Sequence, residues 1–581
     1  MKRICSLIVL SILFSCIPFN QSQLFNKAKA LPVRQNLVPD AEEKRSRFEF
    51  QGKEFVIATD HPLASNAAIS VWKLGGNVVD SFVAASFVIS IVRPQSTGLL
   101  GGGFAILNLE KGKIRKAFDF RERASAKATK QYYLNQDGTV IPNKTLVGAY
   151  SAGVPGNIIG FVSIQKKYGK LSLAQVLAPS IEIARTGFSV YPDLAKSIAS
   201  SWNTLSPEMK IIFGKENRPL QEGENLIQND VANVLERIAL FGEKEIRDGE
   251  TAQKIIDFYK GYDDFITQND LTKYRMKEPD PIFGFAFGNR FMTMPPPSSG
   301  VHLITMFQVW SELQEKSSLP TGNVGENIRI IESMRVAYRD RAVFGGDPEF
   351  TNVDTNLFTS PGYAKEEGDS IEKKVVSGNW QKVPNIQKTE SYNTTHISVL
   401  DRDGNSVSST QSINGSLGAK MVVPGTGLVL NNTMDDFAVA PGVPNLYGLV
   451  GSKANEIAPG KTPLSSMSPM IFLGKDGSSE MAIGAPGGSQ IPTTIFNTLF
   501  RYRVQGFALY DSASFPRIHQ QYLPDTVFVE PELKGIFPEN QMPFYQVQYV
   551  RHRAKVFVVA REGEKLIGVS DPRGDGIPLG F

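Results

Sequence analysis

The chain changes character at Asn393-Thr394-Thr395-His396-Ile397-Ser398-Val399-Leu400-Asp401-Arg402-Asp403-Gly404-Asn405-Ser406-Val407. Before it, Ser360–Glu390 is polar and weakly patterned, which predicts an exposed loop. After it, Thr395–Leu400 alternates as a strand does, Asp403-Gly404 is a hairpin turn signal, and Ser406–Ile413 returns as a second strand. Taken alone, Thr394-Thr395 is ordinary strand material. Further on, Met470–Leu473 and Glu480–Ile483 flank an Asp476-Gly477 turn, and Gly484-Ala485-Pro486-Gly487-Gly488 opens a helix from about Ile491 to Arg503. Working back, a strand-like Phe55-Val56-Ile57-Ala58 precedes helical patterns up to Val92, then a glycine-rich turn at Gly98–Gly103 and strands at Phe104–Leu109 and Arg115–Phe120. Residues 155–275 read as mostly helical, with amphipathic runs such as Val231–Phe241. The pattern predicts sheets covered by helices.

The whole chain has 581 residues, 41% hydrophobic and 21% charged, the composition of a globular protein with a sizeable core. Its start reads differently. Lys2 and Arg3 precede an apolar run, Ile4–Phe14, and Ala28-Lys29-Ala30 offers a small-x-small cleavage site, so residues 1–30 read as a signal peptide. The run is about half the roughly 20 residues a membrane-spanning helix needs. Leu13-Phe14-Ser15-Cys16 is a weaker likeness to a lipoprotein site. The expectation is export, to the periplasm or the medium. Of 62 basic and 58 acidic residues, residues 1–30 hold four basic and none acidic, leaving 58 of each in a product that starts at Leu31. A formally neutral product gives no reason to expect nucleic acid or anionic membranes as partners. Cys5 and Cys16 both fall in the leader, so the mature chain has no disulfide, thiolate metal site or cysteine nucleophile.

Common catalytic motifs are missing: there is no Gly-x-Ser-x-Gly elbow and no His-Glu-x-x-His. Gly460-Lys461-Thr462 ends like a phosphate loop, but Asn455 stands where the first glycine belongs and Pro463 opposes the helix that should follow. Asp401, Asp403 and Asn405 imitate a calcium loop, yet Ser406 replaces its glycine, and a plain hairpin turn is the better reading. Arg573-Gly574-Asp575 reads as a surface turn. The five histidines, His61, His302, His396, His519 and His552, are scattered singly and make a poor zinc site.

The company of Asn393-Thr394-Thr395-His396 carries more. Downstream stand Asn431-Asn432-Thr433-Met434-Asp435-Asp436-Phe437, Pro463-Leu464-Ser465-Ser466-Met467-Ser468-Pro469 and Pro486-Gly487-Gly488-Ser489. Upstream stand Gly101-Gly102-Gly103-Phe104, Asp119-Phe120-Arg121-Glu122 and Met294-Pro295-Pro296-Pro297-Ser298-Ser299-Gly300. In this order and spacing they resemble the γ-glutamyltransferase family of N-terminal-nucleophile hydrolases, from roughly Phe55 to Asp571-Pro572-Arg573.

The resemblance implies an α+β, four-layer αββα sandwich and autocleavage between Asn393 and Thr394. One domain would then consist of a large subunit, residues 31–393, and a small one, residues 394–581. The chemistry has its own logic. A threonine hydroxyl is a poor nucleophile without a base, and cutting the preceding bond frees an α-amine on the same residue, with an ordinary pKa of about 8. No metal or organic cofactor is implied. By resemblance Arg121 grips the substrate α-carboxylate, a task that suits a planar fork. Asp436 holds the α-ammonium, with Asp435 beside it structural. Ser465 and Ser466 hydrogen-bond the carboxylate, Asn414 contacts the amino-acid end, Ser412 positions the nucleophile and Tyr447 covers the pocket from a lid loop. Gly487 and Gly488, between a strand and a helix start, would supply oxyanion-binding amides. Two positions depart from the family pattern: Ser412 replaces a threonine, and Thr433 stands where Gln or Glu assists Asp436.

The implied reaction is cleavage of γ-glutamyl amides such as glutathione, with a γ-glutamyl ester on Thr394 passed to water or an acceptor amine. A related acylase with a different acyl group is the same-fold alternative, and an uncleaved binding protein the different-class one. His396, two residues along the strand from Thr394, is a second candidate for the base beside the Thr394 amine.

Overall fold

The computed structural model describes residues 42–380, 393–440, 442–551 and 554–581. The leader, its two cysteines, the Leu31 start and His552 lie outside the described residues.

Two antiparallel sheets form the centre. Their strands, in chain order, are β1 (Glu49–Gly52), β2 (Phe55–Ala58), β3 (Gly102–Leu109), β4 (Ile114–Asp119), β5 (Ile282–Ala286), β6 (Asn289–Thr293), β7 (Thr395–Asp401), β8 (Ser406–Ser412), β9 (Met470–Leu473), β10 (Ser479–Gly484), β11 (Phe557–Glu562), β12 (Lys565–Ser570) and β13 (Pro578–Gly580). The six-stranded sheet runs β13-β2-β7-β8-β3-β4 and the seven-stranded one β1-β12-β11-β10-β9-β6-β5. The helices that cover them are α1 (Pro62–Lys73), α2 (Val78–Val92), α3 (Asn157–Tyr168), α4 (Leu173–Thr186), α5 (Asn229–Phe241), α6 (Gly300–Gln314), α7 (Gly322–Phe344), α8 (Pro361–Ser377) and α9 (Ile491–Leu499).

Strand alternation builds the layers. Ile397, Val399 and Val407 point outward from the six-stranded sheet and join the core made with α1 to α5. Val56, Ile106 and Leu400 point the other way and pack with Ile471, Ala482 and Val559 between the sheets, while Ile483 and Val558, on the far face of the seven-stranded sheet, carry this core to Leu303, Phe307 and Met334 of α6 and α7. Helices, sheet, sheet, helices: the four-layer αββα sandwich is the fold.

The β7–β8 hairpin matches its sequence reading. Asp401 Oδ1 accepts from the amides of both Asp403, at 3.0 Å, and Asn405, at 2.8 Å, and Gly404 takes φ 79°. The mimic of a calcium loop is therefore a tight turn. Ser360–Glu390 differs from expectation. Residues 361–377 form α8, because Ser360 caps the Tyr363 amide, Pro361 starts the helix and Gly378 ends it with φ 66°. Only Ala364, Gly368 and Ile371 of α8 are buried, a stripe too small to show as periodicity in a polar run. Residues 381–390 lie outside the described residues. Arg573-Gly574-Asp575 also departs from a plain surface turn. Arg573 bonds Glu530 at 2.7 Å and Asp571 at 3.2 Å, while Asp575 meets Arg93 at 3.3 Å, so the turn is pinned inward by charge.

Candidate active site

The hairpin register sets the site. Thr395 pairs with Gln411 and His396 with Thr410, so the next step along β7 puts Thr394 opposite Ser412. The two hydroxyls lie 3.3 Å apart. Thr394 Oγ1 donates to the Asn393 carbonyl oxygen at 2.7 Å, and Ser412 Oγ donates to the same oxygen at 3.0 Å. Ser412 Oγ is fixed in turn by accepting the Asn414 amide at 2.9 Å. The peptide bond between Asn393 and Thr394 thus has a hydroxyl on its own residue and a second hydroxyl polarising its oxygen.

A cleft opens at this point, and Thr394, Ser412, Asn414, Arg121, Asp436, Tyr447, Ser465, Ser466 and Gly488 all line it. Residues far apart in sequence have been gathered at one place. Arg121 follows β4 and is buried, with Nη2 donating to Asp436 Oδ2 at 2.8 Å and Nε 3.6 Å from Glu122. Burial works against its charge, but the Glu122 and Asp436 carboxylates outweigh burial and keep it protonated. Asp435 faces elsewhere: it accepts from Thr145 Oγ1 at 2.9 Å and from the Leu446 amide at 2.8 Å. Burial pushes its pKa up to about 6. Its role is to tie the loop that carries Tyr447. Tyr447 O–H donates to the Asn414 carbonyl at 2.9 Å, closing that loop over the cleft.

Two named residues stand apart from the cleft wall. Thr433 donates to buried Glu122 at 2.7 Å, so its hydroxyl braces the carboxylate beside Arg121. Gly487, at φ 131°, is pressed against Ala554, where a Cβ would come within 2.4 Å, while Gly488 faces the cleft. Gly488 opens a short 3₁₀ turn, Gly488–Gln490, ahead of α9. Amides at such a start have no intrahelical acceptor and can receive an oxyanion.

His396 is placed against a catalytic role. Its ring is fully buried between the sheets, with Nδ1 2.8 Å from Thr410 Oγ1 and Nε2 2.9 Å from Ser398 Oγ. Ser398 gives its own proton to the Phe557 carbonyl, so His396 Nε2 carries the hydrogen and Nδ1 accepts from Thr410. Burial drives its pKa down to about 3. It is a neutral, satisfied strut absent from the cleft lining. Gly484 on the facing sheet makes room, since a Cβ there would lie 2.2 Å from the ring.

Arg341, Leu449, Met467 and Ile491 also line the cleft, and no sequence signal marks them as site residues. Arg341 was hidden in Arg339-Asp340-Arg341 on α7. Helical rotation of about 100° per residue turns the two arginines to opposite faces. Arg339 pairs with Asp340 and Glu367 on the outside, and Arg341 faces in.

A threonine at the head of a central strand, inside an αββα sandwich, defines the N-terminal-nucleophile hydrolase class. The family model described as Gamma-glutamyltranspeptidase matches residues 64–581. The chain is 35% identical over 543 residues to the glutathione hydrolase proenzyme of Escherichia coli (strain K12), covering 91% of this chain and 92% of that protein. It is 33% identical over 476 residues to the Acylase ACY 1 proenzyme of Pseudomonas sp. (strain SE83), with 80% and 82% covered. Cephalosporin acylase from Bacillus halodurans shares the fold at a TM-score of 0.80 and 23% identity, over 95% of this chain and 98% of that one. The chain belongs to the γ-glutamyltranspeptidase family.

Proposed function

We propose that the protein is a self-maturing γ-glutamyltransferase and glutathione hydrolase, exported by a leader of residues 1–30. One observation carries the reading: the Asn393 carbonyl oxygen accepts both the Thr394 and Ser412 hydroxyls beside an Arg121–Asp436 pair in one cleft. In maturation Thr394 Oγ1 attacks the Asn393 carbonyl carbon. The C–N bond breaks, the nitrogen takes the proton, and the acyl group rests on Thr394 as an ester. Water opens that ester, giving a large subunit ending at Asn393 and a small one starting at Thr394. Ser412 stabilises the oxyanion formed on the way.

In turnover the freed Thr394 amine takes the hydroxyl proton, and Oγ1 attacks the γ-carbonyl of the donor. The Gly488 amide, which faces the cleft, receives the oxyanion, and the departing amine leaves with the proton. Water or an acceptor amine then releases the γ-glutamyl group. Asp436 takes the donor's α-ammonium and Arg121 its α-carboxylate, with Ser465, Ser466 and Asn414 completing the grip. Relatives include acylases, but an acyl group without an amino-acid head has no use for both Arg121 and Asp436.

Two measurements on the purified protein test this together. A denaturing gel should show two fragments, the smaller beginning at Thr394 by N-terminal sequencing, and a chromogenic γ-glutamyl anilide should be hydrolysed. Thr394→Ala should leave one chain without activity. A different N-terminus would refute the cleavage chemistry, and an acyl anilide lacking the amino-acid head turned over as fast as the γ-glutamyl one would favour the acylase.

A further inference from the structure

Arg341 is 6% exposed at the inner face of α7 and lines the cleft. Its Nε donates to Ser299 Oγ at 3.2 Å, and Ser299 Oγ donates to the Ser465 carbonyl at 2.8 Å. Among the described residues no carboxylate lies within 4.0 Å of its guanidinium, and Asp436 and Tyr338 act on it only at a distance. Burial accordingly lowers its pKa, with Tyr338 and Asp436 opposing that only in part. Arg121 differs, with Asp436 at 2.8 Å and Glu122 at 3.6 Å. The cleft is therefore polarised, with two carboxylates crowding one arginine and a second arginine short of a counter-charge.

Ser466 supplies an independent observation. Its hydroxyl is buried, lines the same cleft and has no hydrogen-bond partner among the described residues. Ser465 Oγ accepts the Met467 amide at 3.2 Å, which leaves its own proton to give. A guanidinium without an anion, beside two serine hydroxyls able to donate, is a carboxylate cradle. The Ser299 link holds Arg341 and the Ser465-Ser466 turn in fixed relation, so the cradle is built before a ligand arrives.

We propose that Arg341 is a further donor-binding residue, which holds the α-carboxylate of the γ-glutamyl group together with Ser466 and Arg121. The inference rests on the γ-glutamyl reading given above. It explains how a zwitterionic head enters a cleft whose Arg121–Asp436 pair is already closed. The ammonium goes to the crowded carboxylate end, and the carboxylate completes the charge of Arg341.

The test compares a γ-glutamyl anilide with its α-carboxamide counterpart, which keeps everything except the anionic oxygen. Arg341→Gln should raise KM for the acid donor by tenfold or more while kcat stays within about threefold. The preference for acid over carboxamide in kcat/KM should fall by at least tenfold. Ser299→Ala, which removes only the anchor, should lower the same preference by two- to fivefold, so the proposal does not depend on one variant folding. Equal losses on both donors, or an unchanged preference in both variants, would overturn it. Calorimetric titration of the matured protein with free L-glutamate and with its α-amide needs no turnover. Glutamate affinity that falls tenfold in Arg341→Gln while amide affinity holds supports the cradle, even if the wild-type enzyme proved inactive on γ-glutamyl anilides. Unchanged glutamate affinity would refute it.

Discussion

Arg121 Nη2 and Asp436 Oδ2 meet at 2.8 Å, joining two residues on opposite sides of the Asn393–Thr394 bond. The pair is buried, so each charge is costly without the other, and removing one partner leaves the other exposed to that cost. Neither side chain touches the Asn393 carbonyl, whose partners are Thr394 and Ser412.

Arg121→Lys and Asp436→Asn should therefore leave cleavage intact while raising KM for γ-glutamyl donors by about tenfold or more, the loss of at least one charge-assisted contact. Steady-state kinetics on the cleaved variants and a denaturing gel check the two halves. Normal kinetics in both variants would show that the donor head lies elsewhere.

Ser412→Ala should slow maturation by about 10²–10³-fold, the usual loss on removing one oxyanion donor. Ser412→Thr keeps the hydroxyl and should mature at close to the normal rate. A gel time course of freshly made precursor reads both, and rapid maturation of the alanine variant would remove Ser412 from the step.

His396 gives two pH predictions. Its folded pKa, about 3, lies below the ordinary 6.5, so the unfolded chain binds a proton that the folded one refuses. The stability tied to this is present above pH 6.5 and lost as pH falls toward 3, and thermal melts should show a weaker acid dependence in His396→Asn. Activity should follow the Thr394 amine, rising with pH toward about 8. The same rising limb should survive in His396→Asn, assayed with co-expressed fragments. A dead histidine variant, together with continued turnover by enzyme carrying one extra residue before Thr394, would make His396 the base.

Gly484→Ala should destabilise by more than the about 1–3 kcal/mol of ordinary overpacking, because the new methyl would stand 2.2 Å from a ring held at both nitrogens. Thermal denaturation of Thr394→Ala with and without the change measures this apart from cleavage.

Much of this was legible in the chain. The alternation of Thr395–Leu400 and Ser406–Ile413 foretold the hairpin, and its turn residues behaved as their chemistry requires. The cleft residues were found only because six motifs stood together in order, since Arg121 and Asp436 show no local sign of meeting. Arg341 had no such sign either. Which arginine of a helical pair turns inward depends on packing, and sequence spacing gives the angle between them without the direction. Thr433 was legible as an unusual residue, but its bond to Glu122 needed the third dimension. The helix α8 carries its signals only at its ends, in Ser360, Pro361 and Gly378, and none in the periodicity between them.

The strand order bears on when the nucleophile can be made. β11 and β12, residues 557–570, sit inside the seven-stranded sheet against β10, and β13 pairs with β2 so that Val56 stands across from Gly580. The wall that packs on His396 is thus completed by strands far downstream of the Asn393–Thr394 bond. A chain cut short before β11 keeps the Asn393–Thr394 bond but lacks the strands that pack against β10 and β2. Self-cleavage is therefore expected to require residues 557–580, whose strands dock against β10 and β2.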